Sequence, residues 1–193
     1  MKFVIMADGK GIRWHNHLGI PKHLAEVNGE PIISRTVRLL GELGAGEIIV
    51  TSHDRRYEFE GSRRHEPLNN RLEIDRFTEE LIEDDLCFLY GDTYYTESAL
   101  KTIIAAKTDD ILFFGNSKSI VAVKIKDSSL FRAHVSRVRE LYIAGKLKKC
   151  KGWQVYQSFA GQSFEEKPEL GEKFVLLDET TTDINTPEEY EVI

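Results

Sequence analysis

The chain has 193 residues, of which 41% are hydrophobic and 30% are charged, and its formal net charge is −6. This length suffices for one well-buried core, so we expect a single domain over residues 1–193. The negative charge argues against a broad nucleic-acid-binding or membrane-binding surface, because both need a basic face. No apolar run approaches the length of a membrane-spanning helix and no leader-like stretch opens the sequence, so we expect a soluble, cytoplasmic protein.

The first apolar run breaks into a loop that holds two glycines and two cations, Ala7-Asp8-Gly9-Lys10-Gly11-Ile12-Arg13. Glycine permits positive φ and close backbone approach, so successive N–H groups can converge on phosphate oxygens. We interpret this segment as a triphosphate cradle to which Arg13 and Lys22 add positive charge. An ordinary turn after a strand is the alternative explanation of the same residues.

Hydrophobic periodicity and turn signals predict strands and helices that alternate along the chain. The predicted strands cover residues 2–5, 22–27, 47–51, 86–90, 110–115, 119–126 and 174–178. The predicted helices cover residues 31–43, 72–82, 96–106 and 127–144, with a short last helix from residue 186, and the charged residues 54–70 are expected to form a solvated loop. Alternation of this kind implies a Rossmann-like three-layer α/β/α sandwich with a mixed, mostly parallel sheet.

Two acidic residues follow predicted strands. Asp92 comes just beyond the strand over residues 86–90, and Asp183 lies in a loop after the strand over residues 174–178. Open α/β sheets bind ligands beyond the carboxyl ends of their strands, so Asp92 occupies a position where a ligand is expected. Capping of the helix that begins near Thr96 is the alternative role for Asp92.

A lysine-rich segment follows the long predicted helix, with Lys146, Lys148, Lys149 and Lys151 in six residues. These cations either complement the carboxyl-terminal dipole of that helix or contact an anionic acceptor. The aromatic residues that follow, Trp153 and Tyr156 among them, either pack in the core or line an acceptor pocket. The sequence leaves both alternatives open.

Histidine and cysteine offer weaker signals. His15, His17 and His23 crowd one interval, but a structural zinc site needs further ligands nearby, so we interpret them as polar loop residues or substrate contacts. Cys87 and Cys150 are the only cysteines, and we expect both to remain reduced without pairing or metal binding.

Several segments resemble, in the same order, those of the nucleotidyltransferases, a family that includes molybdopterin guanylyltransferase-like, sugar-phosphate and alcohol-phosphate nucleotidyltransferases. The resemblance rests on residues 6–13, 21–24, 28–33, Gly91-Asp92 and 182–190, which are distributed in the family's order across nearly the whole chain. One departure is Asp8, because the family usually has Ala or Gly there. A carboxylate at this position either contacts the base or disturbs the loop.

The resemblance implies the GT-A-like nucleotidyltransferase fold and a transfer of a nucleoside monophosphate from a nucleoside triphosphate, with CTP slightly preferred. The acceptor would be a small phosphate or phosphonate monoester such as a sugar phosphate, and pyrophosphate would be released. It assigns catalysis to Arg13, Lys22, Asp92 and Asp183, with both aspartates holding one Mg²⁺. It assigns nucleotide contacts to Ala7, Asp8, Gly9, Lys10, Gly11 and Asn70.

Two other functions remain alternatives at this point. A glycosyltransferase of similar fold would use a nucleotide sugar and often carries an Asp-x-Asp metal motif, but Thr93-Tyr94 follows Asp92. A nucleotide-binding module without catalysis would keep the fold but need not keep both aspartates. A dinucleotide-dependent dehydrogenase is disfavoured, because the Gly-x-Gly-x-x-Gly spacing is absent.

Overall fold

A seven-stranded sheet with helices on both faces organises the chain, for which the computed structural model describes residues 1–193. The helices are α1 (Ile32–Glu42), α2 (Glu97–Ala105), α3 (Ser128–Ile143), α4 (Gly152–Phe159) and α5 (Pro187–Tyr190). The strands are β1 (Lys2–Met6), β2 (Glu26–Val27), β3 (Glu30–Pro31), β4 (Ile48–Thr51), β5 (Arg63–His65), β6 (Leu86–Tyr90), β7 (Thr93–Tyr94), β8 (Ile111–Gly115), β9 (Ile120–Ile125), β10 (Phe174–Leu176) and β11 (Thr182–Asp183).

The order of strands in the large sheet is β10-β8-β9-β6-β1-β4-β5. Only β9 runs antiparallel to its neighbours, β6 and β8, and the other strands are parallel. The predicted mixed, mostly parallel sheet is therefore confirmed. Because β1 pairs with β4 on one side and β6 on the other, the loop after β1 emerges near the middle of the sheet.

The core lies in two layers, one on each face of the sheet, because successive residues of a strand point to opposite faces. Val4 and Met6 of β1 belong to a cluster that includes apolar residues of α3 and α4. Phe3 and Ile5 belong to the opposite cluster, with apolar residues of α1 and α2. This arrangement confirms the three-layer α/β/α sandwich.

The predicted helix over residues 72–82 is wrong. The segment forms two short 3₁₀ turns, Glu73–Arg76 and Glu79–Leu81. The Asp75 carboxylate accepts hydrogen bonds from the backbone N–H groups of Arg71 and Leu72, at 3.0 and 2.8 Å, and so competes with a regular helix. The apolar residues Ile74, Phe77 and Ile82 still reach the core, which explains the helix-like pattern.

Two further segments differ from expectation. The charged residues 54–70 contain the edge strand β5, whose exposed position suits charged side chains, so a hydrophobicity pattern does not reveal it. Residues 22–27 form a 3₁₀ turn, Lys22–Leu24, before β2, where one strand is predicted. Helix α4 has no predicted counterpart, whereas the other predicted strands and the helices at α1, α2, α3 and α5 are confirmed within a few residues.

None of the helices combines the length and the apolar character needed to cross a membrane.

Candidate active site

A cavity of about 1710 Å³ lies at the carboxyl ends of β1 and β6. Nine of the ten predicted site residues line it, namely Asp8, Gly9, Lys10, Gly11, Arg13, Lys22, Asn70, Asp92 and Asp183. Ala7 is the exception, since it is buried and borders a smaller cavity of about 420 Å³ beside the glycine loop. The structure therefore gathers residues that are up to 175 positions apart in the sequence.

The glycine loop after β1 presents free backbone donors. The N–H groups of Gly9, Lys10 and Gly11 donate no hydrogen bond within the protein, although all three residues line the cavity. Gly11 has φ of 57°, a left-handed conformation that glycine adopts without strain. Arg13 is exposed on the same loop and forms no ion pair. A loop of this kind can bind an anion through both backbone and side chain.

Gly91 brings the ends of β1 and β6 close together. Its backbone N–H donates to the carbonyl oxygen of Met6 at 3.0 Å. A Cβ at this position would lie 2.7 Å from the same carbonyl oxygen, so only glycine fits without a shift. The buried hydroxyl of Tyr95 accepts a hydrogen bond from the backbone N–H of Tyr90 at 2.9 Å and holds the end of β6. Asp92 is thereby fixed beside the glycine loop.

Lys22 and Asp92 form an ion pair in which both side chains are about nine-tenths buried. The Lys22 ammonium also donates to the side-chain oxygen of Asn185 at 3.1 Å. Burial alone would raise the pKa of Asp92, but the charge and hydrogen bond of Lys22, together with the charges of His23 and Arg76, outweigh it and hold that pKa below its usual value. Asp92 is therefore ionised, and its alternative role as a helix cap is wrong, because Thr96 caps α2.

Asp183 lies beside Asp92 because β11 pairs with β7, which places Asp183 opposite Thr93. This two-residue strand replaces the predicted loop. The backbone N–H of Ile184 donates to the carbonyl oxygen of Asp92 at 2.7 Å. The Asp183 carboxylate accepts hydrogen bonds from the Ser119 hydroxyl, at 2.6 Å, and from the Asn185 amide. Asn185 thus connects Asp183 to Lys22, and the two carboxylates share one polar network.

Asp8 braces the glycine loop. Its carboxylate accepts hydrogen bonds from the backbone N–H of His53 at 3.0 Å and from the Asn70 amide at 2.7 Å, and it contacts the His53 ring nitrogen at 2.8 Å. The Asn70 amide also donates to the backbone carbonyl of Asp8 at 2.7 Å. The carboxylate that departs from the family pattern is thus held by the loops that follow β4 and β5.

The three clustered histidines have separate environments. His23 is buried against the Tyr57 hydroxyl, at 3.0 Å, and burial lowers its pKa to about 4. His17 stacks edge-on against Trp14, and His15 is exposed. Nowhere in the chain do three or more His, Cys, Asp or Glu residues gather as a metal site. The two cysteines are free and buried.

The far side of the cavity is lined by α4 and the segment before it. Trp153 lines the cavity and stacks on Phe174 with ring centroids 5.6 Å apart and planes 3° apart. Tyr156 lies fully in the core, and its hydroxyl donates to the carbonyl oxygen of Glu169 at 2.8 Å. The sequence left open whether these aromatic residues pack in the core or line a pocket. Tyr156 packs in the core, and Trp153 lies at the cavity wall.

Sequence reasoning assigned no role to three residues that shape the site. Asn185 connects Lys22 to Asp183, Ser119 holds Asp183, and Arg76 lies between the glycine loop and Tyr90. Asn185 lies within the quoted segment 182–190, so the motif contained a signal for it. Ser119 begins the strand predicted over residues 119–126, Arg76 lies in the segment predicted as a helix, and neither carries a comparable signal.

No family model matches the sequence, and no curated protein is significantly similar to it. Solved structures do match. CTP:phosphocholine cytidylyltransferase of Streptococcus pneumoniae is 15% identical, with a TM-score of 0.59 over 99% of this chain and 96% of that chain. A proposed glucose-1-phosphate thymidylyltransferase of Bacillus anthracis is 14% identical, with a TM-score of 0.64 over 100% of this chain and 93% of that chain.

A third solved structure is 2-C-methyl-D-erythritol 4-phosphate cytidylyltransferase of Thermus thermophilus. It is 13% identical, with a TM-score of 0.63 over 99% of this chain and 95% of that chain. Each match spans nearly the full length of both proteins, so the shared architecture extends beyond the β1 to β4 unit. The chain has the fold of these nucleotidyltransferase structures, and the resemblance that its motifs indicate is confirmed at the level of the fold.

Proposed function

We propose that the protein is a Mg²⁺-dependent nucleotidyltransferase that transfers a nucleoside monophosphate from a nucleoside triphosphate to a small phosphate or phosphonate monoester, such as a sugar phosphate. One observation carries the proposal: the Lys22–Asp92 ion pair, joined to Asp183 through Asn185, lies in the same cavity as the free N–H groups of the glycine loop. CTP is the preferred donor in this proposal, since two of the similar structures are described as cytidylyltransferases.

The donor set of the site suits Mg²⁺. Asp92 and Asp183 supply carboxylate oxygens from neighbouring backbone segments, and Asn185 adds an amide oxygen nearby. Mg²⁺ prefers oxygen ligands and usually takes only one or two from protein carboxylates, with phosphate and water completing its shell. Asp92 and Asp183 would hold the ion. When bound, it would neutralise phosphate charge at the reacting centre.

The chain's own residues would do the rest by positioning and charge neutralisation. An oxygen of the acceptor phosphate attacks the α-phosphorus, and the bond from that phosphorus to the bridging oxygen of pyrophosphate breaks. The N–H groups of Gly9 to Gly11, with Arg13, would bind the β- and γ-phosphates and stabilise the pyrophosphate as it leaves. Lys22 would turn from Asp92 towards the α-phosphate. No general base is needed, because the acceptor phosphate is already anionic at neutral pH.

Pyrophosphate release tests the proposal. Four nucleoside triphosphates are each incubated with Mg²⁺ and a panel of phosphate and phosphonate monoesters, and the new nucleotide conjugate is identified by mass spectrometry. We expect stoichiometric pyrophosphate and product with at least one pair, and CTP as the best donor. Absence of pyrophosphate with every pair would overturn nucleotidyl transfer. Sugar transfer from a nucleotide sugar, without pyrophosphate, would instead support the glycosyltransferase alternative.

A further inference from the structure

The lysines of this chain divide sharply between paired and unpaired side chains. Of the fourteen lysines, seven have ammonium groups that form neither an ion pair nor a hydrogen bond. Six of these seven line the large cavity, and the exception is Lys107. Unpaired lysines are thus concentrated in the cavity, although the chain as a whole is acidic. Eleven lysine and arginine residues line the cavity against seven carboxylates.

Three of the unpaired lysines, Lys146, Lys148 and Lys149, come from the segment between α3 and α4. The segment is anchored from within, because Cys150 is buried and Leu147 packs against the core. None of their ammonium groups bonds to a carbonyl at the end of α3, so no direct contact ties these side chains to the helix. All three are exposed at the cavity wall, and their ammonium groups form no ion pair with a carboxylate of the chain.

The lysine segment is separate from the triphosphate cradle. Arg76 lies next to the glycine loop, with its guanidinium 3.9 Å from a Cβ built on Gly9 and 5.6 Å from the centre of the Tyr90 ring. Tyr90 in turn contacts Gly152, at the start of α4. The order across the cavity is therefore glycine loop, Arg76, Tyr90 and then the lysine segment. The cavity also exceeds the roughly 300–1,000 Å³ of a usual small-ligand pocket, which leaves room for a second ligand.

We propose that the acceptor is a phosphorylated acid, a phosphomonoester with a second anionic group such as a carboxylate, and that Lys148 and Lys149 bind that second group. This inference rests on the proposed function and names the class of its acceptor. The phosphate that is nucleotidylated lies towards Arg76 and Asp92, and the second anion reaches the lysine segment. A neutral or cationic acceptor would leave the unpaired lysines without a counter-charge, so the preference is electrostatic.

Binding of matched compounds tests this acceptor class. Glycerol 3-phosphate is compared with 3-phosphoglycerate, and glucose 1-phosphate with glucuronate 1-phosphate, by calorimetric titration of the whole protein. Each pair differs by one carboxylate in place of a hydroxymethyl group. We expect the carboxylate member of at least one pair to bind about tenfold more tightly, with an advantage that shrinks as salt is added.

Two variants assign that advantage to the lysine segment. In Lys148→Gln/Lys149→Gln the advantage of the carboxylate member should disappear, whereas Lys107→Gln, which removes the unpaired lysine outside the cavity, should retain it. Affinity for the nucleoside triphosphate should stay within about twofold in both, because the glycine loop is untouched. Equal affinity within both pairs, absence of binding for all four compounds, or an advantage that survives in the double variant would overturn the inference.

The two proposals fail separately. A carboxylate preference that depends on Lys148 and Lys149, without pyrophosphate release from any donor, would leave the anion-binding subsite standing and remove the transferase function. Pyrophosphate release with acceptors that have no second anion, together with equal affinities within each pair, would leave the transferase function standing and remove the acceptor class.

Discussion

The two ends of the cavity differ in how their charges are balanced. At the end near β1 and β6, the buried Lys22 and Asp92 pair with each other and the Asp8 carboxylate contacts His53, whereas the exposed Lys10 and Arg13 of the glycine loop have no partner. At the end near α4, Lys148 and Lys149 have none. The first end is held in one geometry by the Lys22–Asp92 ion pair, by hydrogen bonds and by the ends of β1 and β6. The second end can gain the most from a ligand that brings negative charge.

The largest effect is expected from Asp92→Asn, which removes one carboxylate from the paired end. Turnover should fall by about a thousandfold, equivalent to ~4 kcal/mol, because both the ion and Lys22 lose their charged partner. Folding should persist, since an amide can still accept a hydrogen bond from Lys22. Steady-state pyrophosphate release together with thermal unfolding measures the two quantities.

Asp85→Asn is the matched control, because Asp85 is an exposed aspartate whose ion pair with Lys126 lies outside the cavity. It should retain near-normal turnover. Turnover of Asp92→Asn within a few-fold of the control would contradict the role of Asp92. Loss of folding in Asp92→Asn alone would show that the ion pair has a mainly structural role.

The paired end also explains which parts of the site the sequence could predict. Asp92 and the glycine loop follow strong apolar runs, and strands that are parallel neighbours end at the same edge of a sheet. Their proximity therefore follows from local patterns. The contact between Lys22 and Asn185, which are 163 residues apart, depends on the pairing of β7 with β11, two strands too short to leave a period in the sequence.

The prediction of a helix over residues 72–82 is wrong for a comparable reason. Its apolar spacing is real, but Asp75 is buried, pairs with Arg139 of α3 and bonds to backbone N–H groups of its own segment. A tertiary ion pair of this kind overrides a local helical pattern, and the sequence around Asp75 does not predict the ion pair. The sequence also cannot predict that Lys148 and Lys149 are unpaired, because ion-pair partners come from distant parts of the chain and leave no pattern in the lysine run itself.

The paired end should also make stability depend on pH through His23. Burial lowers the pKa of His23 to about 4 from an ordinary value near 6.5, so the unfolded chain takes up a proton that the folded chain refuses. The contribution is complete above about pH 6.5 and is lost as pH falls towards 4. The loss amounts to roughly 3 kcal/mol in the free energy of unfolding.

Urea unfolding at several pH values checks this expectation. His23→Asn should lose much of the decline between pH 6.5 and 4, whereas His15→Asn, at an exposed histidine, should keep it. Identical pH profiles for the wild type and His23→Asn would show that carboxylates alone account for the acid sensitivity.

A smaller effect is expected from Gly91→Ala. The added Cβ would lie 2.7 Å from the carbonyl oxygen of Met6, so β1 and β6 must separate slightly at the site. We expect a loss of about 2 kcal/mol in the free energy of unfolding and a fall in turnover larger than that in acceptor affinity, because only the paired end moves. Gly41→Ala in α1, where nothing lies within 4 Å, is the control and should be neutral or stabilising. An unchanged turnover in Gly91→Ala would contradict the requirement for close approach.

The smallest effect is expected from Asp8→Asn, and it separates the two roles that a carboxylate could have in the glycine loop. An asparagine retains one oxygen, which can accept from the backbone N–H of His53, and the Asn70 amide keeps its bond to the backbone carbonyl of residue 8, but the negative charge beside the proposed triphosphate site is removed. The KM for the nucleoside triphosphate should therefore fall by about fivefold, or ~1 kcal/mol, at low salt. A rise in KM that is confined to one base would instead show that Asp8 reads the base, and the bracing role would then be secondary.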